Sequence, residues 1–173
     1  MSKVKGIFLD RDGIINKDTG YVYKKEDFIF KKNIFSVLKY LQKKNFLLFI
    51  ITNQSGIGRG YYSIKDFLIL NDWMIKEFEK NSIKISSVQF CPHTPNSNCL
   101  CRKPKTKMFD EINKSFSIDK ENSWMIGDKE SDIEFAINCG IRNTIFLKNS
   151  KNSIEHVSPN YKIKSLNFIK KII

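Results

Sequence analysis

The chain has 173 residues, of which 41% are hydrophobic and 13% aromatic, enough apolar material for one ordinary domain with its own core. No run of about 18 apolar residues occurs, and the start, MSKVKGIFLDRDG, reaches charged residues too early for a signal peptide. We therefore expect a cytoplasmic protein without a membrane partner. The net charge is +12, carried by lysines scattered as singles and pairs. Scattered lysines are typical of a solvated surface, although their field attracts anionic ligands.

Predicted strands and helices alternate along the chain. Short apolar runs predict five strands, at 4–9, 46–51, 88–90, 123–126 and 144–147. Helical spacing of apolar residues predicts four helices, at 33–44, 63–80, 107–116 and 132–139. Ser63 and Asp66 resemble a capping box, Gly140 closes the fourth helix, and Ser165 is expected to cap a last short one. The alternation indicates an α/β fold, a Rossmann-like three-layer sandwich with a mostly parallel sheet, in one domain spanning residues 1–173.

Polar side chains follow three of these strands. Asp10 and Asp12 come after the first strand, Thr52 and Asn53 after the second, and Asp128 after the fourth. In open α/β sheets, ligands bind outside the carboxyl ends of the strands, so these groups are expected to converge. Carboxylates at positions i and i+2 face one way on an extended chain and repel each other unless a cation lies between them. Together with Asp128 they offer the hard oxygen ligands that suit Mg²⁺, a cation that usually serves phosphoryl groups.

The same residues suit phosphoryl transfer. Thr52 and Lys103 could neutralise the oxygens of a transferring phosphoryl group. One carboxylate of the Asp10 and Asp12 pair could attack phosphorus, while the other protonates the leaving oxygen and later deprotonates water. The alternative is that both aspartates are turn and helix-capping residues. The positions of Thr52, Lys103 and Asp128 favour the catalytic interpretation.

A cysteine-rich loop, CPHTPNSNCLC, spans residues 91–101. Clustered cysteines in a reducing compartment bind metal more often than they pair. The loop offers a complete set of four ligands, Cys91, His93, Cys99 and Cys101. Four protein ligands are the closed coordination of structural zinc, whereas a catalytic zinc needs an open position. We therefore expect one zinc ion that holds the loop and the two residues after it, Arg102 and Lys103.

Four segments, FLDRDGIIN, ITNQSGIGRG, CRKP and MIGDKESD, resemble in this order the four motifs of the haloacid dehalogenase superfamily of phosphatases. The resemblance runs from about residue 5 to 147. It implies Asp10 as nucleophile, Asp12 as general acid and base, and Thr52 and Lys103 as stabilisers of the phosphoryl group. It also implies the Mg²⁺ ligands, which are Asp10, the backbone carbonyl of Asp12, and Asp128. Asp132 is either a residue that orients the metal site or a structural residue at a helix start.

Substrate choice is expected to lie in three loops, at 11–32, 53–63 and 91–105, because the chain has no room for a cap domain. The cysteine loop before Arg-Lys-Pro resembles the zinc loop of one branch, which contains the histidinol-phosphate phosphatases and the D-glycero-D-manno-heptose 1,7-bisphosphate 7-phosphatases. IINKDTGYVYKKEDFIF and TNQSGIGRGYYS resemble the first and second loops of the heptose enzymes. The substrate contacts implied by this resemblance are Arg11, Asp18, Thr19, Gly20, Tyr21, Asn53, Gln54, Ser55, Arg102 and Lys129. Arg102 is free to bind a second phosphate, and Arg59 is a weaker candidate.

The expected activity is that of a Mg²⁺-dependent phosphatase. It would remove the C7 phosphate of a heptose bisphosphate through an aspartyl-phosphate intermediate, in the synthesis of ADP- or GDP-heptose. We expect a monomer that acts on a small sugar bisphosphate and not on nucleic acid. Histidinol phosphate is the alternative substrate. A weaker alternative is that the chain is a nucleic-acid 3′-phosphatase of the same superfamily. A zinc-containing nucleic-acid-binding module is the alternative from another class, but it leaves the aspartates at the strand ends unexplained.

Overall fold

The structure, a computed structural model, describes residues 2–149 and 152–173. Six strands form one sheet: β1 (Gly6–Leu9), β2 (Leu47–Asn53), β3 (Ile85–Cys91), β4 (Trp124–Gly127), β5 (Asn143–Leu147) and β6 (Tyr161–Ile163). The α-helices are α1 (Ile34–Lys43), α2 (Ser55–Gly58), α3 (Ile64–Lys80), α4 (Lys107–Phe116), α5 (Glu130–Cys139) and α6 (Ile169–Ile172). Short 3₁₀ segments lie at Lys25–Asp27 and Leu166–Phe168. The strands are parallel, in the order β3-β2-β1-β4-β5-β6, which confirms the predicted parallel sheet.

Helices cover both faces of the sheet. Successive residues of a strand point to opposite faces, so Ile7 and Leu9 pack with α1, α3 and α6, whereas Phe8 packs with α4 and α5. Central strands that are buried on both faces are apolar throughout, which is why FLLFII stands out in the sequence. The predicted three-layer sandwich is confirmed. No helix in the described ranges combines the length and the apolar character needed to cross a bilayer.

The ends of the helices follow local side-chain chemistry. The Ser63 hydroxyl accepts from the Asp66 N–H at 3.1 Å and the Asp66 carboxylate accepts from the Ser63 N–H at 2.8 Å, so the predicted capping box is confirmed. Gly140 ends α5 in the left-handed conformation, with φ 75°, as predicted. Ser165 is the N-cap residue of the final helical segment, as predicted. Its backbone carbonyl accepts from the Phe168 N–H at 3.1 Å, but its side chain makes no capping hydrogen bond.

Three short elements were not predicted, namely the 3₁₀ segment Lys25–Asp27, β6 and α2. β6 has three residues at the edge of the sheet, of which only Ile163 is buried, so no apolar run marks it. α2 is a single turn that follows β2 directly. β3 is longer than predicted because its serines and half-buried side chains, typical of an edge strand, hide most of it in the sequence.

Candidate active site

The carboxyl ends of β2, β1 and β4 lie side by side and bring the predicted groups together. Asp10, Thr52 and Asp128 are 3%, 0% and 5% exposed at this edge. The backbone N–H of Asp10 still donates to the Ile126 carbonyl at 3.1 Å, so the side chain leaves from the end of a paired strand. The predicted convergence of these strand ends is confirmed.

Lys103 reaches this edge from the loop that follows the cysteines. Its Nζ lies 2.9 Å from Asp10 Oδ1, 2.7 Å from Asp132 Oδ1 and 2.9 Å from the Ile51 carbonyl oxygen. Burial lowers the pKa of Lys103, but the charges of Asp10 and Asp132 outweigh burial and raise it, so the ammonium group stays charged. Its backbone is fixed by Asn53, whose side-chain amide exchanges two hydrogen bonds with the Lys103 main chain. A fixed cation therefore lies beside the predicted nucleophile.

Three buried carboxylates form a candidate site for a divalent cation. Ligand oxygens of Asp10, Asp128 and Asp132 lie within 4.8 Å of one another. Burial and the neighbouring carboxylates raise the pKa of Asp128 to about 7, and Asp128 Oδ1 is buried without a hydrogen-bond partner among the described residues. Burial also raises the pKa of Asp10 to about 6, although the Lys103 charge opposes it. A Cβ atom on Gly13 would lie 2.1 Å from Asp128 Oδ2, so only glycine lets the backbone approach this closely. The site fits a divalent cation, whose charge would offset the repulsion among the three buried carboxylates.

Asp132 has two functions within the protein. Its Oδ2 accepts from the backbone N–H groups of Asp128 and Lys129 at 3.1 and 3.0 Å, which starts α5 two residues earlier than predicted. Its Oδ1 forms the ion pair with Lys103. A Cβ atom on Gly127 would lie 2.3 Å from Asp132 Cβ, which explains the glycine at the end of β4. Asp132 thus lies both at the candidate cation site and at the start of a helix, and its orienting role in the metal site stays a prediction.

The Asp12 carboxylate does not face the same cation as Asp10. It lies outside the group of carboxylates that are close enough to share an ion, so the expectation that Asp10 and Asp12 flank a cation with both side chains is wrong. It accepts from the Arg11 guanidinium at 2.8 Å, the Asn16 amide at 2.9 Å and the Gln54 amide at 2.9 Å. Burial raises the pKa of Asp12, but the Arg11 charge and these hydrogen bonds together lower it. The predicted contact between the Asp12 carbonyl and the cation stays a prediction.

Arg11 is buried and is directed towards the protein interior. It is 2% exposed, lies between the rings of Phe28 and Phe67 at 6.0 and 5.7 Å from their centres, and also donates to the Val22 carbonyl at 2.7 Å. Its Nε and Nη2 groups donate to Asp12, and Nη2 also donates to Val22. The implied contact between Arg11 and a substrate stays a prediction.

A cavity of about 180 Å³ opens beside Asp12 and brings together most of the predicted substrate contacts. Its lining residues are Asp12, Asp18, Gly20, Tyr21, Asn53, Gln54, Ser55, Tyr62 and Lys129. Thr19 is exposed outside this lining, and Arg102 instead donates to the His93 carbonyl at 3.3 Å. Arg59 is exposed as well. The contacts that these residues make with a substrate stay predictions.

Lys129 connects the first loop to the catalytic edge. Its Nζ lies 3.2 Å from Asp18 Oδ2 and 4.0 Å from Asp10 Oδ2, at the border of the cavity. Burial lowers the pKa of Lys129, but the charges of Asp10 and Asp18 outweigh burial and raise it. The side chain is half exposed, so the ammonium group also faces solvent, where a phosphate group could reach it.

The side chains of the cysteine loop form a four-ligand cluster. Ligand atoms of Cys91, His93, Cys99 and Cys101 lie within 4.8 Å of one another. The Cys91 sulfur is 3.7 Å from the Cys99 sulfur, 3.5 Å from His93 Nδ1 and 2.8 Å from the Cys101 sulfur. Thiolates bound to zinc at about 2.3 Å in a tetrahedron lie about 3.8 Å apart. The distance between the Cys91 and Cys99 sulfurs matches this value, whereas the Cys101 sulfur lies about 1 Å closer to Cys91 than in such a tetrahedron. The feature that fits a zinc ion is the set of four ligand atoms within 4.8 Å of one another.

The cysteine loop also supports the loop after β2. The Cys91 carbonyl accepts from the Gln54 N–H at 2.7 Å, and the Pro92 carbonyl accepts from the Gly58 N–H at 2.8 Å. Two of the three loops that border the catalytic edge are thus joined through backbone hydrogen bonds. Loss of order in the cysteine loop should therefore displace the loop after β2 as well as Lys103.

Five lysines, although scattered in the sequence, line one cleft beside the active site. The cleft has a volume of about 270 Å³, and its lysines are Lys17, Lys31, Lys32, Lys148 and Lys164. No Asp or Glu belongs to its lining, and within the described ranges none of these ammonium groups makes an ion pair or hydrogen bond. Asn152 joins the cleft to the catalytic edge by donating to the carbonyls of Leu147 and Asp128 at 3.0 and 2.8 Å. We refer to these residues as the lysine cleft.

Two residues of the site were missed in the sequence. Asn16 is fully buried and donates to Asp12, four residues earlier, a spacing that a turn after Gly13 makes possible. Tyr62 lines the cavity and donates its hydroxyl to Gln54 Oε1 at 2.6 Å. Nothing in the pattern of residues 53–63 singles out Tyr62 from its neighbour Tyr61.

The parallel sheet, the aspartates at its carboxyl edge and the buried lysine define the class of haloacid dehalogenase-like phosphohydrolases. A family model described as HAD-hydrolase-like matches residues 100–167. The chain is 48% identical over 149 residues to the D-glycero-alpha-D-manno-heptose-1,7-bisphosphate 7-phosphatase of Campylobacter jejuni, covering 86% of each chain. It is 46% identical to the beta-anomer enzyme of Helicobacter pylori over 148 residues, 85% of this chain and 86% of the other. The chain belongs to the D-glycero-D-manno-heptose-1,7-bisphosphate 7-phosphatase family.

Solved structures agree with this fold. The D,D-heptose 1,7-bisphosphate phosphatase of B. bronchiseptica, solved with magnesium and phosphate, superposes with a TM-score of 0.85 at 22% identity, over 98% of this chain and 97% of that one. The enzyme of Burkholderia thailandensis gives 0.70 at 20% identity, over 97% of each chain. At these identities the likeness concerns the fold.

Proposed function

We propose that this chain is a Mg²⁺-dependent phosphatase that removes the C7 phosphate of D-glycero-D-manno-heptose 1,7-bisphosphate. The observation that carries the proposal is the pairing of Lys103 with Asp10 at the edge where Asp128 lies, in a chain 48% identical to such an enzyme. The product would serve the synthesis of ADP- or GDP-heptose. Relatives named for the alpha and the beta anomer both match closely, so both anomers have to be assayed.

Asp10 acts as the nucleophile. One of its carboxylate oxygens attacks phosphorus and the bond between phosphorus and the C7 oxygen breaks, giving an aspartyl phosphate. Oδ1 is held by Lys103 and by the Arg11 N–H, at 2.9 Å each, whereas no described residue donates a hydrogen bond to Oδ2. Lys103 and Thr52 offset the charge on the phosphoryl oxygens. Asp10 and Asp128 would hold Mg²⁺, which would supply further positive charge beside the phosphoryl group.

Asp12 acts as the general acid and then as the general base. It gives a proton to the leaving sugar oxygen and then takes one from the water that hydrolyses the aspartyl phosphate, so the acid is regenerated. The hydrogen bonds from Arg11, Asn16 and Gln54 fix its carboxylate, and its side chain borders the cavity. These contacts support a residue that is oriented for proton transfer.

The cavity and the cysteine loop provide substrate selection. We infer that Asp18, Ser55 and Lys129 contact the sugar and its phosphates, with Arg102 close to the second phosphate. The four-ligand cluster would hold zinc, and the closed loop would keep Arg102 and Lys103 in place. We infer that residues 1–173 act as one catalytic domain and that the enzyme is a monomer without a nucleic-acid partner, which sedimentation and a DNA-binding assay would test.

Phosphate release measured with Mg²⁺ on both anomers of the heptose bisphosphate tests the proposal, with histidinol phosphate as the competing substrate. ³¹P NMR of the product distinguishes loss of the C7 phosphate from loss of the C1 phosphate. We expect preference for a heptose bisphosphate and a heptose 1-phosphate product. Faster turnover of histidinol phosphate, or loss of the C1 phosphate, would show that the assigned substrate is wrong. Asp10→Asn protein serves as the inactive control.

A further inference from the structure

Gln54 lies between two catalytic groups, and its amide is fully bonded. Its Nε2 donates to Asp12 Oδ2 at 2.9 Å and to Thr52 Oγ1 at 2.8 Å. Its Oε1 accepts from the Tyr62 hydroxyl at 2.6 Å. Gln54 is 2% exposed, so both N–H groups and the oxygen are satisfied inside the protein.

The direction of this amide determines what Asp12 and Thr52 present to the substrate. Because Thr52 Oγ1 accepts from Gln54, its own O–H is free to point to a phosphoryl oxygen. An amide turned by 180° would place Oε1 against the Asp12 carboxylate and leave the Tyr62 hydroxyl facing an NH₂ group. The Asp12 carboxylate, which can only accept, sets the orientation of the amide, and donation by Tyr62 to Oε1 fixes the position of its other end.

Tyr62 is itself held firmly. Its ring stacks on Tyr23 with centres 4.9 Å apart and an angle of 7° between the planes. A Cβ atom on Gly56 would lie 2.1 Å from Tyr62 Cε1, so the ring packs directly on the backbone of α2. Burial raises the pKa of Tyr62 to about 12, which keeps the hydroxyl protonated as a donor. A rigid donor thus fixes the far end of the Gln54 amide.

We propose that Tyr62 is a positioning residue that acts through Gln54 to align Asp12 for protonation of the leaving oxygen. The inference rests on the proposed function, because it concerns the departure of an alkoxide. In that step Asp12 gives its proton to the sugar oxygen while phosphorus passes to Asp10. A leaving group that is stable as an anion needs no such proton.

Tyr62→Phe tests this role, since it removes only the hydroxyl and keeps the ring. Tyr61→Phe is the matched control, because Tyr61 is 55% exposed and does not line the cavity. The quantity compared is kcat/KM, which reports steps up to formation of the aspartyl phosphate, for the heptose bisphosphate and for p-nitrophenyl phosphate. Loss of one orienting hydrogen bond should reduce kcat/KM for the sugar about fivefold to tenfold. The value for the aryl ester should fall no more than about twofold, because nitrophenolate leaves without a proton.

Equal losses on both substrates, or the same loss in Tyr61→Phe, would overturn the inference. Gly56→Ala is a second variant, whose Cβ would lie 2.1 Å from Tyr62 Cε1 and 3.0 Å from Tyr21 Cδ1. Because it displaces the Tyr62 ring, its loss on the sugar should appear in kcat, whereas crowding of Tyr21 alone would raise only KM. If the unmodified enzyme hydrolyses a different alkyl phosphate faster than the heptose bisphosphate, the proposed substrate is wrong. The ratio of losses between that alkyl phosphate and p-nitrophenyl phosphate then still decides the role of Tyr62.

Discussion

Replacing Asp128 with asparagine should stabilise the protein without Mg²⁺ while abolishing its response to Mg²⁺. The pKa of Asp128 rises from 3.8 to about 7 in the folded state, because the carboxylate is buried close to Asp10 and Asp132. The unfolded chain therefore loses this proton at lower pH than the folded chain, so stability falls as the pH rises from about 4 to about 7. At about 1.36 kcal/mol per pKa unit, the penalty at neutral pH is about 4 kcal/mol. An asparagine at position 128 cannot ionise, so the variant does not have this penalty.

Urea unfolding at pH 4 and pH 7.5, in buffers without Mg²⁺ and without chelator so that zinc is retained, measures this effect. We expect the free energy of unfolding of Asp128→Asn to exceed that of the unmodified protein by about 2–4 kcal/mol at pH 7.5 and by little at pH 4. Added Mg²⁺ should stabilise the unmodified protein and leave the variant unchanged. Asp72→Asn, an exposed aspartate on α3, is the control. A variant no more stable than its parent at pH 7.5, or equally stabilised at both pH values, would refute the reasoning.

Three further substitutions test the site. Asp10→Asn should reduce phosphate release below about one thousandth of the unmodified rate with an unchanged circular dichroism spectrum, because the nucleophile is lost; near-normal activity would exclude an aspartyl phosphate. Arg102→Ala should lower kcat/KM about tenfold for the bisphosphate and much less for the heptose 7-phosphate; equal losses would mean that Arg102 does not bind the second phosphate. Cys101→Ala should abolish the zinc found by elemental analysis, lower Tm by about 10 °C and raise KM, since Lys103 loses its support; a fully active unmodified protein without zinc would contradict a structural zinc.

The parallel topology made the main features of the site predictable. Strands that are buried on both faces are conspicuous in a sequence, and parallel strands place their carboxyl ends at one edge. Asp10, Thr52 and Asp128 could therefore be assigned to one place although they are far apart along the chain. The cysteine cluster was equally accessible, because its four ligands lie within eleven residues.

Side-chain direction was not predictable from the pattern. The residue between two catalytic aspartates was expected to face the substrate, yet Arg11 lies among aromatic rings because Asp12 needs a buried counter-charge. Gln54 was interpreted as a group that binds sugar hydroxyls, yet its amide is used up by Asp12, Thr52 and Tyr62. Such choices depend on which polar groups become buried together, and a linear sequence does not record that.

The lysine cleft bears on how quickly a substrate finds the enzyme. A heptose bisphosphate carries several negative charges, and the five ammonium groups of the lysine cleft, which have no ion-pair partner among the described residues, attract it before any contact forms. This attraction reaches about 8 Å at 0.15 M ionic strength and only about 3 Å at 1 M. Encounter and capture will therefore slow in concentrated salt while the chemical step, enclosed at the strand ends, keeps its rate. The lysines should therefore affect the rate of substrate association and leave the rate of the chemical step unchanged.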